Sequence, residues 1–361
     1  MSQRVAPRSV AAMHSFVTTI LRSHGAPPTT ADPVARHMLW ADRRGTETHG
    51  LVRLPAYVER VRRGTLDPTA RPHVEARHGA VTTVDANHGF GHAAADYAMN
   101  HALERSRSDG VGVTTVRRSG HFGAAGAYAA MAATQGAVGI AMTNAAPLMA
   151  PTGGRERRVG NNPIAVAVPF SEFPIVLDIA MSAVAAGRVM LAARRGESIP
   201  DSWGADRRGR PTTDPHEVLA GGGLLRPVAD HKGYGLALVV DLLTSVLGGG
   251  APGIDVKRLD QDGPVDASHT CIALDVSAFG DPTGFADRIE ALAATMRATP
   301  LADGAERVLL PGEREAEVAR RRDEHGIDYP DDIFAALERL AADVACPLPP
   351  PAEMVSDGVE R

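Results

Sequence analysis

Between residues 80 and 297, short runs rich in β-branched residues alternate with alanine-rich stretches of helical length. Such alternation restricts the chain to α/β folds in which helices cover a sheet. Candidate strands span 80–85, 111–117, 137–143, 164–168, 175–179 and 270–276, and candidate helices 92–107, 124–135, 183–194, 234–247 and 285–297. Both flanks read as helix instead. Apolar residues recur at Val10, Met13, Phe16, Val17 and Ile20 until Gly25, Pro27 and Pro28 stop the run. Thr29 and Thr30 are placed to cap a second helix over 31–43, and a third is expected over 51–63, ending at Gly64. Helices over 313–325 and 330–344 precede a proline-rich tail, CPLPPPAE. The expected organisation is a helical part over 1–75, an α/β domain over 76–310 with an inserted helical segment, C-terminal helices over 311–346 and a disordered tail over 347–361.

A chain of 361 residues with 44% hydrophobic and 22% charged residues can bury a large core. Its net charge of -5 lacks the basic footprint of a nucleic-acid binder, and the short basic runs over 105–118 and 155–158 are diluted into solvated faces. Cys271 and Cys346 lie far apart without metal-type spacing, which suggests neither a disulfide framework nor zinc and fits a reducing cytoplasm. The N-terminus has no secretory pattern. The longest apolar stretch, 236–247, is broken by Asp241 and falls well short of the ~20 residues a membrane span needs.

The segment GTETHGLVRLPAY sets His49, Arg53 and Tyr57 four residues apart, which on a helix is one face. An imidazole that titrates near neutrality, a guanidinium that matches a carboxylate and a phenol are the parts a small organic acid requires. A solvated helix face reads the same way. GFGHAA at 89–94 follows a candidate strand and opens a candidate helix, as a dinucleotide-binding turn does. No acid follows the next strand to hold a ribose, and Arg117 and Arg118 stand there instead, so the fingerprint is incomplete. A glycine-rich helix start is the simpler reading, while the two arginines suggest a 2′-phosphate site. His88 and His92 flank the same glycines without an identifiable third ligand, and no metal is expected.

In SGHFGAAG, His121 sits between Gly120 and Gly123 at a strand-to-helix junction, where free N–H groups can meet an anion. A structural histidine is the alternative. The loop over 143–169 offers amides and backbone donors or is simply a long turn, and the turn-rich connection over 196–215 has the length of a functional loop. Asp178 ends an apolar strand, where it can cap a helix or accept from a ribose. Lys232 opens a helix, a position that disfavours a cation unless an anion lies nearby. Neither a G-x-S-x-G elbow nor a Walker A pattern is present, which weakens hydrolase and phosphoryl-transfer readings.

Seven ordered segments, ADRRGTETHGLVRL, GHFGAAG, PTGGRERRVGNNPIAVAVP, LDIAMSAVAAG, WGADRRGRPTTDP, HKGYGLAL and LLPGEREAE, together resemble the malate/L-lactate dehydrogenase family that lacks a Rossmann fold. The resemblance implies a non-Rossmann NAD(P)-binding domain on a largely antiparallel sheet, a helical domain built from both chain ends, and a homodimer with its active site at the subunit interface. It implies that His49 donates and accepts the proton, that Arg53 binds the carboxylate, and that Thr48 is the hydroxyl that often is Ser in relatives. His121 becomes a histidine near the nicotinamide with a catalytic role ascribed in one branch. The implied cofactor surface is His121, Phe122, Gly123, Ala124, Ala125, Asn161, Asp178, Ile179, Ala180, His231, Lys232, Gly312 and Glu313, for NAD or NADP. The implied reaction is hydride transfer between NAD(P)H and C2 of a small 2-oxo or 2-hydroxy acid, with Tyr57 closing the substrate pocket. Reduction of a cyclic imino acid is the alternative, against which Thr48 and Arg188 weigh. A non-catalytic cofactor or carboxylate binder is another, against which the retained His49 and Arg53 weigh.

Overall fold

A computed structural model describes residues 6–352. Helix α1 (Val10–Ser23) starts where the Ser9 hydroxyl accepts the Ala12 N–H at 3.2 Å, and it buries the apolar residues whose spacing marks it. Helix α2 (Pro28–Arg43) begins with proline in its first turn, where a missing N–H is harmless. Thr29 and Thr30 therefore lie inside the helix and do not cap it. The expected helix over 51–63 is shorter than its pattern. Residues Glu47–His49 and Leu51–Arg53 form two 3₁₀ turns, and α3 (Leu54–Arg62) starts only where Pro55 suits a first turn. His49, Arg53 and Tyr57 are thus not one helical stripe.

The sheet opens with β1 (His73–His78), a strand the sequence pattern does not suggest because it is mostly exposed and basic; it crosses the expected domain boundary near 75. β2 (Val81–Asp85), α4 (Gly91–Asp109) and β3 (Val111–Ser119) follow, then α5 (Ala125–Ala133), β4 (Ala137–Thr143), β5 (Ile164–Val168) and β6 (Ile175–Ile179). A lobe then carries α6 (Ala186–Arg195), α7 (Pro215–Leu219) and α8 (His231–Asp241), the last running into a π-helical turn over Leu242–Val246. β7 (Ala267–Asp275) returns to the sheet before α9 (Pro282–Arg297), α10 (Glu313–His325) and α11 (Asp331–Asp343).

The seven strands lie in the order β1-β2-β3-β7-β4-β5-β6. Only β2 and β3 pair in parallel, joined through α4 as a βαβ unit; β3 and β4, joined through α5, are held apart by β7, and every other neighbouring pair is antiparallel. Helices α4 and α5 cover the sheet with alanines, among them Ala95, Ala98, Ala102, Ala129 and Ala132, and those small side chains permit close approach. A separate core joins both chain ends, with Met13, Phe16, Ile20, Met38, Leu54 and Tyr57 packed against Phe334, Leu337 and Leu340. Each such side chain contributes about 1.5–3 kcal/mol by leaving water. The tail is partly ordered, since Ala352 N–H donates to Pro7 and Arg8 Nε to the Pro349 carbonyl at 2.7 Å each. Residues 347–352 therefore correct the expectation of a free tail, and 353–361 lie outside the described residues.

Connection 196–215 is organised around Asp206, which accepts the Arg208 and Arg210 N–H groups and pairs with the Arg210 guanidinium. Its short strand Gly204–Ala205 pairs with Leu224–Leu225. Among the described residues no helix is long and apolar enough to cross a membrane.

Candidate active site

Two turns, one from each core, meet at the site. The 3₁₀ turns after α2 carry Thr48, His49 and Arg53, and the loop between β3 and α5 carries His121. The imidazoles of His49 and His121 stack at 5.8 Å between centroids and 13° between planes. Thr48 Oγ1 lies 3.0 Å from His49 Nδ1 and leaves Nε2 open for proton transfer. Arg53 Nε donates to the Thr48 carbonyl at 2.8 Å, so its two terminal nitrogens remain for an anion. Among the described residues no acidic side chain pairs with His49, Arg53 or His121.

Tyr57 does not close a pocket. It is 2% exposed, and its hydroxyl sits 2.7 Å from His121 Nδ1. The Gly123 N–H also points at that nitrogen, at 3.3 Å, and a backbone amide can only donate. Nδ1 is therefore an acceptor, Tyr57 donates to it, and the His121 proton is assigned to Nε2. Gly123 adopts φ +78°, and a side chain there would lie 2.8 Å from His92 Nε2, so glycine is required twice over. Burial, then the Arg53 charge, lowers His49 to about 4. Burial likewise holds His121 and His92 well below the ordinary histidine value and pushes the Tyr57 phenol up. All three rings are neutral at pH 7.

The glycines of GFGHAA serve packing. A Cβ on Gly91 would lie 2.6 Å from the His121 carbonyl, and one on Gly120 2.8 Å from the Gly89 carbonyl, so the helix start and the His121 loop interlock through bare backbone. This explains a glycine turn without a ribose acid. Arg117 and Arg118 form bidentate pairs with Glu75 and Asp85, and that overturns their reading as a 2′-phosphate site. His92 is fully buried against Tyr57, with neither ring nitrogen hydrogen-bonded, whereas His88 turns toward Asp266 at 4.0 Å.

A second cluster borders the start of α5. Phe122 is buried between Tyr128 and His269. Asp178 Oδ2 accepts the Gly126 N–H at 2.8 Å, and a Cβ on Gly126 would lie 2.9 Å from that oxygen. Asp178 still reaches solvent, yet crowding around its carboxyl raises it to about 6 against the pull of Gly126 and Arg44. Gly312, at φ +82°, packs on Val176, and its carbonyl accepts Arg44 Nη2 at 3.0 Å. Glu313 is already engaged, with Arg297 at 3.1 Å and the Leu310 N–H at 2.8 Å, so it holds the turn and presents no free carboxylate. Ile179 and Ala180 lead to Met181, whose carbonyl accepts the Val228 N–H and borders Gly233, and this brings exposed His231 and Lys232 beside the end of β6. Asn161 accepts Met181 N–H through its carbonyl, whereas its neighbour Asn162 is buried and bridges Ala145 to Ala237. The α5 start supplies bare backbone, Asp178 a carboxylate able to meet hydroxyls, and His231 and Lys232, exposed and with no partner among the described residues, two groups able to meet phosphates. That donor set fits a nicotinamide dinucleotide.

Sequence reasoning missed Arg44 and Asp42. Arg44 lies over the Trp40 ring at 4.9 Å and reaches Gly312. Asp42 is buried under the His49 turn; its one sequence signal is an acid on the face of α2 that also buries Met38, Leu39 and Ala41.

A family model described as malate/L-lactate dehydrogenase matches residues 9–338. The chain is 35% identical over 335 residues to a malate dehydrogenase of Pyrococcus abyssi, covering 91% of this chain and 92% of that one. It is 37% identical over 330 residues to a (2R)-3-sulfolactate dehydrogenase (NADP(+)) of Chromohalobacter salexigens, covering 91% and 96%. The crystal structure of malate dehydrogenase from Entamoeba histolytica superposes with a TM-score of 0.91 at 31% identity, covering 97% of this chain and all of that one.

Proposed function

We propose that this chain, which belongs to the malate/L-lactate dehydrogenase family and is thereby an NAD(P)-dependent 2-hydroxy acid dehydrogenase, acts on C2 of a small 2-oxo or 2-hydroxy acid through His49 and Arg53. The observation that carries this reading is the stacked pair of His49 and His121 beside an Arg53 whose terminal nitrogens have no acidic partner among the described residues. When bound, the nicotinamide supplies or accepts the hydride. Arg53 holds the substrate carboxylate end-on through its two terminal nitrogens. His49 Nε2 gives a proton to the developing alkoxide in reduction and takes it from the hydroxyl in oxidation. His121, fixed by Tyr57 and Gly123, presents its Nε2–H to the same oxygen or to the carboxamide of the cofactor. The cradle of Gly123 to Gly126, Asp178, His231 and Lys232 is assigned to the dinucleotide.

The active unit is proposed to be a homodimer. Leu236, Val239, Leu243, Val246 and Leu247 form an exposed apolar stripe along α8 and its π turn, with Val246 60% and Leu247 70% exposed, and such a stripe is suited to a second copy. Both cysteines are free thiols, in keeping with the cytoplasm, where we place the protein.

Oxidation of NADH and of NADPH, followed across pyruvate, oxaloacetate, sulfopyruvate and piperideine carboxylate, tests the reaction. Turnover of a 2-oxo acid that His49→Ala abolishes, with cofactor affinity retained, is expected. Turnover of the imine alone, or cofactor binding with no turnover of any acid, would replace this reading.

A further inference from the structure

We infer that Asp42 is a positioning residue whose buried carboxyl carries the turn presenting His49 and ties that turn to the C-terminal helices; the inference rests on the assignment of His49 as proton donor. Asp42 is 1% exposed at the end of α2. Its Oδ2 accepts the Leu51 N–H at 3.0 Å and the Tyr329 hydroxyl at 3.1 Å. Gly50 lies flat against the same carboxyl: a Cβ there would overlap Oδ1 and stand 2.7 Å from Oδ2. The two 3₁₀ turns join at this residue, whose backbone (φ −91°, ψ −147°) is neither helical nor extended and separates them directly after His49.

The other side of His49 is held from the same place. Arg322 on α10 donates to the Asp42 carbonyl through Nη1 and to Glu47 Oε1 through Nη2 at 2.5 Å. Glu47, Gly50 and Leu51 thus bracket His49, and each is fastened to Asp42 or to the arginine bound to it. Burial raises the Asp42 carboxyl to about 7; Leu51 N–H, Tyr329 and Arg322 pull it down, and Glu47 pushes it up. A buried acid is costly, and a purely packing role would be served as well by an apolar residue. What a carboxyl adds is an oxygen, Oδ2, that accepts at once from the turn at Leu51 and from Tyr329 beside the C-terminal helices.

The test compares Asp42→Asn, which keeps an acceptor, with Asp42→Leu, which removes it, and with Tyr329→Phe, which deletes only the distant hydroxyl. Asp42→Leu is expected to lower kcat by about tenfold or more, as ångström-scale misplacement of a catalytic group does. NADH affinity should stay within about twofold, and amide exchange over 47–53 should accelerate. Asp42→Asn should restore most of kcat, and Tyr329→Phe should fall between. If Asp42→Leu does not fold, Tyr329→Phe alone decides, through exchange over 47–53 and through kcat. Unchanged exchange and unchanged kcat in Tyr329→Phe and Asp42→Leu overturn the proposal. Retained turnover in His49→Ala would instead overturn the assignment of His49 while leaving the exchange result intact.

Discussion

Replacing Tyr57 by Phe removes one oxygen and leaves the ring packed on Phe90 at 6.2 Å and on His92 at 5.3 Å, so the change acts on a hydrogen bond and not on a cavity. The lost hydroxyl stands 2.7 Å from His121 Nδ1, which keeps only the Gly123 N–H at 3.3 Å. A buried acceptor deprived of its better donor costs about 1–3 kcal/mol. If that whole penalty reached the transition state, kcat would fall by about five- to 160-fold, since 1.36 kcal/mol is a factor of ten. Melting should drop by only a few degrees in a chain of this length. Steady-state turnover of a validated 2-oxo acid, thermal unfolding and the ¹⁵N shifts of His121 read the three consequences separately. In Tyr57→Phe the His121 signals should move toward a mixture of tautomers while cofactor affinity holds. Wild-type kcat with unchanged His121 shifts would refute the claim that this phenol orients the imidazole.

Four further outcomes are expected. Hydroxy-acid oxidation needs neutral His49, so its kcat/KM should stay level as pH falls through 6.5 and decline only near pH 4; a decline near 6.5 would contradict the depressed value. In stability the same shift acts with a definite sign: the unfolded chain binds the proton first, so stability falls as pH drops from 6.5 toward 4. Arg53→Lys replaces two terminal donors by one ammonium on a more flexible stem, and KM for the acid should rise about tenfold or more with kcat less affected, as measured by initial rates. Leu247→Glu places a charge in the exposed stripe and should shift the protein to monomers in light scattering, with loss of turnover; a stable, active dimer would remove that stripe from the interface.

Local patterning carried much of the fold. The apolar spacing of α1, the alanine-rich α4 and α5, and the strands at 137–143, 164–168 and 175–179 are visible because each is marked by its own local composition or spacing. The four-residue spacing of His49, Arg53 and Tyr57 pointed to the candidate site while misplacing its geometry. Gly50 and Pro55 break the helix, and Tyr57 is turned inward to hold His121. What stayed hidden is non-local. Strand β7 enters between β3 and β4, pairing Cys271 with Thr114 and with Ala141, and nothing near Cys271 encodes those neighbours. Asp42 meets Tyr329, and Tyr57 meets His121, only after the two ends and the middle of the chain have come together.

The charge distribution around His49 then constrains the chemistry. His92 and His121 are each held neutral by burial and, secondarily, by their histidine neighbours, including His49 and His269. The nearby His37 does have a carboxylate, Asp96 at 2.7 Å, but that histidine packs on Tyr128, whose ring in turn stacks on Phe122. Where a carboxylate would have oriented His49 and raised its pKa, the chain provides the Thr48 hydroxyl and the Arg53 cation. Burial and the Arg53 charge therefore favour the base form of His49, the form the proposed oxidation of a hydroxy acid requires. In the reducing direction of the proposed reaction, a positive His49 is favoured once an anion has offset Arg53, so a carboxylate held there would act both as the anchor and as the charge that lets His49 hold its proton.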